Sequence, residues 1–128
     1  MRLVPDPVYG EVDLTASVEE LAALADAVAE GEGIIGSAPP LDGDTLAAIE
    51  VRKTSGPGVR IELDASRQVL MIGGDPGARV MLAADLQHMA AAQDGGHLHI
   101  DYFTEHPYLV EGSVPIVVNS PYGGMPAR

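Results

Sequence analysis

Three short segments with alternating apolar side chains lie between two stretches with helical spacing, and this order restricts the fold of the chain. A period of two predicts strands, because every second side chain then lies on one face. The three strands are predicted at residues 48–54, 59–63 and 67–72, and the residues between them are few enough for hairpins. Consecutive strands without an intervening helix disfavour a doubly wound parallel sheet. An antiparallel meander is therefore expected at the centre of the fold.

Both helical stretches begin with recognisable capping residues. Ser17 and Glu20 have the spacing of a capping box, in which each side chain accepts a hydrogen bond from the backbone N–H of the other. The apolar stripe of this first helix consists of Val18, Leu21, Leu24, Ala25 and Val28. Asp75 is predicted as the N-cap of the second helix, with Pro76 in its first turn. The inward stripe of the second helix consists of Ala78, Leu82, Leu86, Met89 and Gln93.

The remaining strands are predicted at residues 11–14, 97–103 and 114–118. Residues 33–45 are rich in Gly and Pro and are predicted as a loop. The order of elements is then β-α-β-β-β-α-β-β. It predicts the α+β class, with a predominantly antiparallel sheet of five to six strands and two helices on one face.

The length of 128 residues predicts one domain over residues 1–128, with a frayed tail at about 121–128. The chain contains no Cys, which excludes disulfides and thiolate metal sites. The first residues lack the apolar region of a secretory signal, and no apolar run approaches the ~20 residues of a membrane span. These features predict a cytoplasmic protein with no membrane partner.

The chain carries a strong excess of negative charge. Nineteen acidic residues against seven basic ones give a formal net charge of −12. Such a surface repels phosphate backbones, so no nucleic-acid partner is expected. A field of this sign accelerates encounter with a basic protein partner, whereas the same charge could also serve solubility alone. Both explanations stay open at this point.

The histidines of the predicted strand at residues 97–103 are candidate metal ligands. His97, His99 and Asp101 would project from one face of the strand, and His106 could complete the cluster. Two imidazoles and a carboxylate suit zinc or another transition metal. The same alternation is typical of a solvent-facing strand side, with the intervening apolar side chains directed to the core. The solvent-facing interpretation is preferred, so no metal and no cofactor is expected.

The sequence contains no local signature of a catalytic residue set, and no catalytic residue is predicted. The Gly-rich residues 73–77 lack the Lys of a P-loop and the glycine spacing of a dinucleotide fingerprint. Aromatic side chains are scarce, but Tyr102, Phe103 and Tyr108 lie within seven residues of one another. Aromatic anchors are typical of protein interfaces. Tyr102 and Tyr108 are therefore the predicted contacts with a partner.

Three segments near the C-terminus resemble a known family. They are residues 96–102 (GHLHIDY), 106–109 (HPYL) and 112–118 (GSVPIVV), and they are similar to the Imm32 group of immunity proteins of bacterial polymorphic toxin systems. The resemblance implies a cytosolic protein that neutralises a cognate toxin by occlusion and has no catalytic residues. Together with the negative charge, it implies a basic toxin as the partner.

Two other functional classes remain as alternatives. The first is a small metal-binding protein or metalloenzyme that uses His97, His99 and Asp101. The second is a structural or regulatory module that forms a homodimer or larger homo-oligomer through an edge strand. Of the three hypotheses, a non-enzymatic binding protein of the immunity type is preferred.

Overall fold

The computed structural model describes residues 1–6, 10–37, 45–92 and 96–121. Within these residues the chain forms two helices and eight strands, which confirms the predicted α+β class. In chain order the elements are β1 (Arg2–Pro5), β2 (Val12–Thr15), α1 (Val18–Glu30), β3 (Gly33–Gly36), β4 (Ala48–Lys53), β5 (Val59–Asp64), β6 (Val69–Gly74), α2 (Pro76–Ala90), β7 (His97–Ile100) and β8 (Ile116–Asn119). The predictions for Gln93 and for residues 122–128 lie outside the described residues. Neither helix is long and apolar enough to cross a membrane.

The described strands form two four-stranded sheets of the same pattern. The strand order is β1-β2-β8-β7 in sheet A and β3-β4-β6-β5 in sheet B. In each sheet the central pair is parallel, β2 with β8 and β4 with β6, and the outer pairs are antiparallel. Antiparallel pairs therefore predominate, as predicted. The helix α2 contacts both sheets, touching β5 and β6 in sheet B and β8 in sheet A.

The central meander is confirmed in only one of its two hairpins. β5 pairs antiparallel with β6, from Val59 opposite Gly74 to Asp64 opposite Val69. The predicted hairpin between β4 and β5 is wrong, because β4 pairs with β6 in parallel register. Residues 69–74 (VLMIGG) contain no charged side chain, whereas β4 and β5 each contain several. Placing β6 between the two charged strands covers this apolar strand along both edges.

The prediction of a loop at residues 33–45 is wrong for its first part. β3 (Gly33–Gly36) pairs antiparallel with β4 and forms one edge of sheet B. With glycine at both ends, its four residues carry no alternation that could distinguish a strand from a loop. β1 (Arg2–Pro5) was likewise not predicted, and together β1 and β3 account for the strands beyond the predicted number.

Both predicted helix starts are confirmed. The Ser17 hydroxyl accepts from the Glu20 N–H at 3.1 Å, and the Ser17 N–H donates to Glu20 Oε1 at 2.9 Å. Gly31 ends α1 in the left-handed conformation, with φ at 89°. Asp75 caps α2 by accepting from the Ala78 N–H at 3.2 Å. Local capping chemistry therefore fixes where both helices begin.

The buried side chain of Arg79 connects α2 to α1 and to sheet B. Its Nε donates to the Gly74 carbonyl at 2.8 Å, and one terminal nitrogen donates to the carbonyls of Val28 and Ala29 at 2.9 and 3.0 Å. The last turn of α1 contains no basic residue of its own. Arg79 therefore supplies the positive charge and the donors that the free carbonyls at this helix end require.

The connection between β7 and β8, residues 101–115, follows the outer edge of sheet B before it returns to sheet A. The Val59 N–H donates to the Tyr108 carbonyl at 2.7 Å, and the Val110 N–H donates back to the Val59 carbonyl at 2.9 Å. Further along β5, the Ile61 N–H donates to the Ser113 hydroxyl at 3.1 Å. This long connection is therefore held in place by backbone hydrogen bonds, and it joins the two sheets.

Candidate functional site

The histidines of β7 lie on the exposed side of their strand, at the edge of sheet A. The rings of His97 and His99 meet edge to face with centroids 4.9 Å apart. Ile100 is buried and Leu98 is half-buried on the other side. The alternation predicted for this strand is confirmed, although β7 ends at Ile100, before residue 103.

The four candidate metal ligands do not converge. Asp101 is exposed and follows the end of β7. His106 lies in a turn, where its Nδ1 accepts from the backbone N–H groups of Tyr108 at 3.2 Å and Leu109 at 3.0 Å. Across the described ranges, no group of three or more His, Asp or Glu side chains is placed to share a metal ion. The expectation that the protein holds no stoichiometric metal stays a prediction, to be checked by metal analysis.

The buried side chain of Tyr108 links the 101–115 connection to α2. The side chain is only 7% exposed, and its hydroxyl donates to Asp85 Oδ2 at 2.6 Å. Burial and the neighbouring Asp85 carboxylate raise the pKa of the Tyr108 hydroxyl above its ordinary value. Tyr108 is thus an internal support, and Tyr102, the other predicted partner contact, is half-buried. Their role towards a partner stays a prediction.

An exposed aromatic side chain, Phe103, lies on the outside of the same connection. It is 58% exposed, and its ring lies over His106 with centroids 4.7 Å apart. The His106 ring in turn meets Tyr108 edge to face, also at 4.7 Å. The three rings form a continuous series of tilted and edge-to-face contacts that leads from the exposed Phe103 to the buried Tyr108. Sequence alone did not identify Phe103 as exposed, because its exposure depends on where β7 ends.

A groove lies between the first turns of α2 and this connection. Met81, which is 43% exposed, lines it from the helix, and His106 and Pro107 line it from the connection. Asp75 also lines the groove, and its carboxylate accepts from the Gly58 N–H at 2.7 Å and from the Ala78 N–H. These backbone donors hold the pKa of Asp75 below its ordinary value. We name the exposed surface formed by Met81, Phe103, His106 and Pro107 the Phe103 patch.

A second cleft of different character lies on the outward face of sheet B. Its floor includes Gly73 and Met71, and Arg52 and Arg60 project from the strands on either side of β6. Glu50 forms ion pairs with Arg67 and with Arg52, and these two guanidinium groups hold its pKa below the ordinary value. Residues 52–67 contain four of the seven basic residues of the chain. The two clefts therefore differ in charge: Arg52, Arg60 and Glu62 line this one, whereas Asp75 lines the groove beside α2.

Residues 69–121 match the family model of Immunity protein 32 (Imm32). The match covers less than half of the chain, but it contains β6, α2, β7, the 101–115 connection and β8, and therefore the whole Phe103 patch. No curated protein and no solved structure matches the chain. The resemblance found in the sequence is thus confirmed over a longer span, and from β6 to the end of β8 the chain is similar to the Imm32 family of immunity proteins.

Proposed function

We propose that this protein is an immunity protein that binds a cognate toxin and neutralises it by occlusion, without a reaction of its own. The observation that supports this function is the Imm32 match over residues 69–121. The proposed site of action is the cytoplasm. The site geometry is compatible with the proposal, because the matched span presents an exposed aromatic patch on a well-supported backbone.

The proposed toxin is basic. With a net charge of −12, the protein attracts a positively charged partner over distances of about one Debye length and repels nucleic acid. Encounter would then be steered by charge, and short-range contacts would set the lifetime of the complex. Homodimer formation, which was considered from the sequence, stays a prediction that the mass in solution would test. The exposed β3 edge, where Ile34 is 68% exposed, is the edge that we would examine first.

A co-expression assay tests the function. A candidate toxin domain from a gene adjacent to this one is expressed from an inducible promoter in a host that lacks the protein, and growth is followed with and without this chain. We expect growth to be restored by the protein and not by an unrelated acidic protein of similar size. Protection should also be absent against a toxin domain of another family. Growth arrest that persists despite abundant, folded protein would contradict the proposed function.

A further inference from the structure

We infer that the toxin docks on the Phe103 patch and the adjoining groove of α2, through an apolar anchor surrounded by basic side chains. The inference rests on the proposed function and adds to it the surface and the chemistry of the contact. Three independent features of the described residues support it: exposure of apolar side chains, rigidity of the supporting backbone, and the sign of the local charge.

The first feature is the exposure of large apolar side chains on neighbouring elements. Phe103 is 58% exposed and Met81 is 43% exposed. Met81 lines the groove, and Phe103 contacts His106, which also lines it. Exposed apolar surface that is contiguous and rimmed by polar groups is typical of an interaction site. Aromatic anchors and adaptable Met side chains are favoured at the centres of such sites.

The second feature is that the patch is held in place before any partner arrives. His106 accepts from two backbone N–H groups of its own turn, and Tyr108 is tied to Asp85 of α2. Asp75, which also lines the groove, joins the start of α2 to Gly58. A surface with so many internal hydrogen bonds loses little conformational entropy on binding, which favours affinity.

The third feature is the negative charge around the patch. Residues 101–111 contain three acidic residues, Asp101, Glu105 and Glu111, and neither Lys nor Arg. Asp75 is the charged residue that lines the groove itself. The cleft of sheet B is lined instead by Arg52, Arg60 and Glu62, and Arg52 pairs with Glu50, so it offers a basic partner no comparable excess of acidic groups. Lys and Arg side chains suit the groove, because their stems can cover apolar surface while their charged ends meet the acidic rim.

Binding measurements with matched variants test this surface. The probe is the purified candidate toxin domain of the growth assay, carrying a substitution that abolishes its activity. We expect Phe103→Ala to weaken binding about 30-fold or more, as for a central anchor, and Met81→Ala to weaken it less. The controls are Ile34→Ala and Leu63→Ala, which truncate exposed apolar side chains on β3 and β5 and should leave affinity unchanged. Hydrogen exchange of the wild-type complex should show new protection at residues 77–81 and 103–109.

The outcomes separate the surface from the function. If the wild-type protein does not bind the toxin domain, the proposed function fails and the docking surface fails with it. If the wild-type protein binds tightly but the Phe103 and Met81 variants bind equally well, the function stands and this surface is refuted. New protection confined to sheet B would refute it in the same way. Because both side chains are exposed, unchanged melting temperatures are expected and would exclude misfolding as the cause of weaker binding.

Discussion

Arg79 carries a buried positive charge whose hydrogen-bond donors are satisfied by helix and strand carbonyls. It is 3% exposed, and its guanidinium donates to the carbonyls of Gly74, Val28 and Ala29. A buried cation is costly unless its donors are paired, and here three carbonyl partners from two other elements provide the pairing. This side chain therefore couples the position of α2, one wall of the proposed docking groove, to α1 and to β6.

Replacing Arg79 by Met should lower the free energy of unfolding by about 2 kcal/mol or more, because buried carbonyls lose their donors. Met retains much of the apolar stem, so the loss reports on the guanidinium. Urea unfolding of wild type and variant gives the difference. Arg67→Met is the matched control, because Arg67 makes exposed ion pairs and should matter far less. Equal effects of the two substitutions would contradict the role of Arg79 as a connector.

Tyr108 should make stability fall at alkaline pH. Its pKa is raised in the folded state, so the folded protein retains a proton that the unfolded chain releases above its ordinary value of 10.0. The contribution of this proton to the free energy of unfolding is therefore present below about pH 10. It decreases as pH rises further, by up to about 1.4 kcal/mol per pH unit. Unfolding measured from about pH 9 to about pH 11 should show a free energy of unfolding that is nearly level at first and then falls towards this slope in wild type, with a shallower fall in Tyr108→Phe. Identical slopes would show that Tyr108 is not the responsible group.

Among the elements, the helices and the β5–β6 hairpin were predictable, whereas the parallel strand pairings were not. In the capping hydrogen bonds, Ser17, Glu20 and Asp75 accept from backbone N–H groups three residues away, so these caps can be recognised in the local sequence. The parallel pairing of β4 with β6 joins residues far apart in sequence, such as Ala48 and Val69. No local pattern specifies such a partner, and both parallel and antiparallel pairings accept the same alternation.

Only part of the candidate site could be predicted from the sequence. The shared side of His97 and His99 follows from the period of two within a strand. The exposure of Phe103 and the burial of Tyr108 follow from the path of the chain after Ile100, where the 101–115 connection turns to pair with β5. That path depends on tertiary hydrogen bonds such as the one from Val59 to Tyr108, which local sequence does not encode.

The caps of the two helices should differ in their effect on stability. Ser17→Ala removes one side-chain acceptor from α1 and should cost about 1 kcal/mol. Asp75→Ala should cost more, because Asp75 both caps α2 and holds Gly58 in the turn before β5. Thermal or urea unfolding of the two variants, side by side, checks the order. An Asp75 variant that is no less stable than the Ser17 variant would show that the bond to Gly58 contributes little.

At the scale of the whole molecule, charge is unevenly distributed. Four of the seven basic residues lie within residues 52–67, together with the acidic residues Glu62 and Asp64, whereas residues 101–111 contain three acidic residues and neither Lys nor Arg. These acidic residues belong to the 101–115 connection, which follows β5 and carries Phe103. We therefore expect a basic partner to be oriented towards this connection before any contact forms.

Association with the toxin should slow as salt rises. The Debye length falls from about 30 Å at 0.01 M to about 8 Å at 0.15 M, so long-range steering is lost over this range. Stopped-flow or surface-based kinetics should show a lower on-rate and a nearly constant off-rate. Glu105→Gln should lower the on-rate modestly, whereas Glu19→Gln, on the exposed first turn of α1, should change it less. An on-rate that does not depend on salt would contradict electrostatic steering by this acidic surface.

Neutralisation by occlusion requires one molecule of this protein for each molecule of toxin. A fixed amount of active toxin domain, well above the dissociation constant, is titrated with the purified protein, and the remaining toxin activity is measured. We expect activity to fall in proportion to added protein, to vanish at an equimolar amount, and to do so without a slow phase after binding. The Phe103→Ala variant should require a large excess. Complete inhibition by a small fraction of an equivalent would show a catalytic antagonist instead, and full activity at excess protein would contradict the immunity function itself.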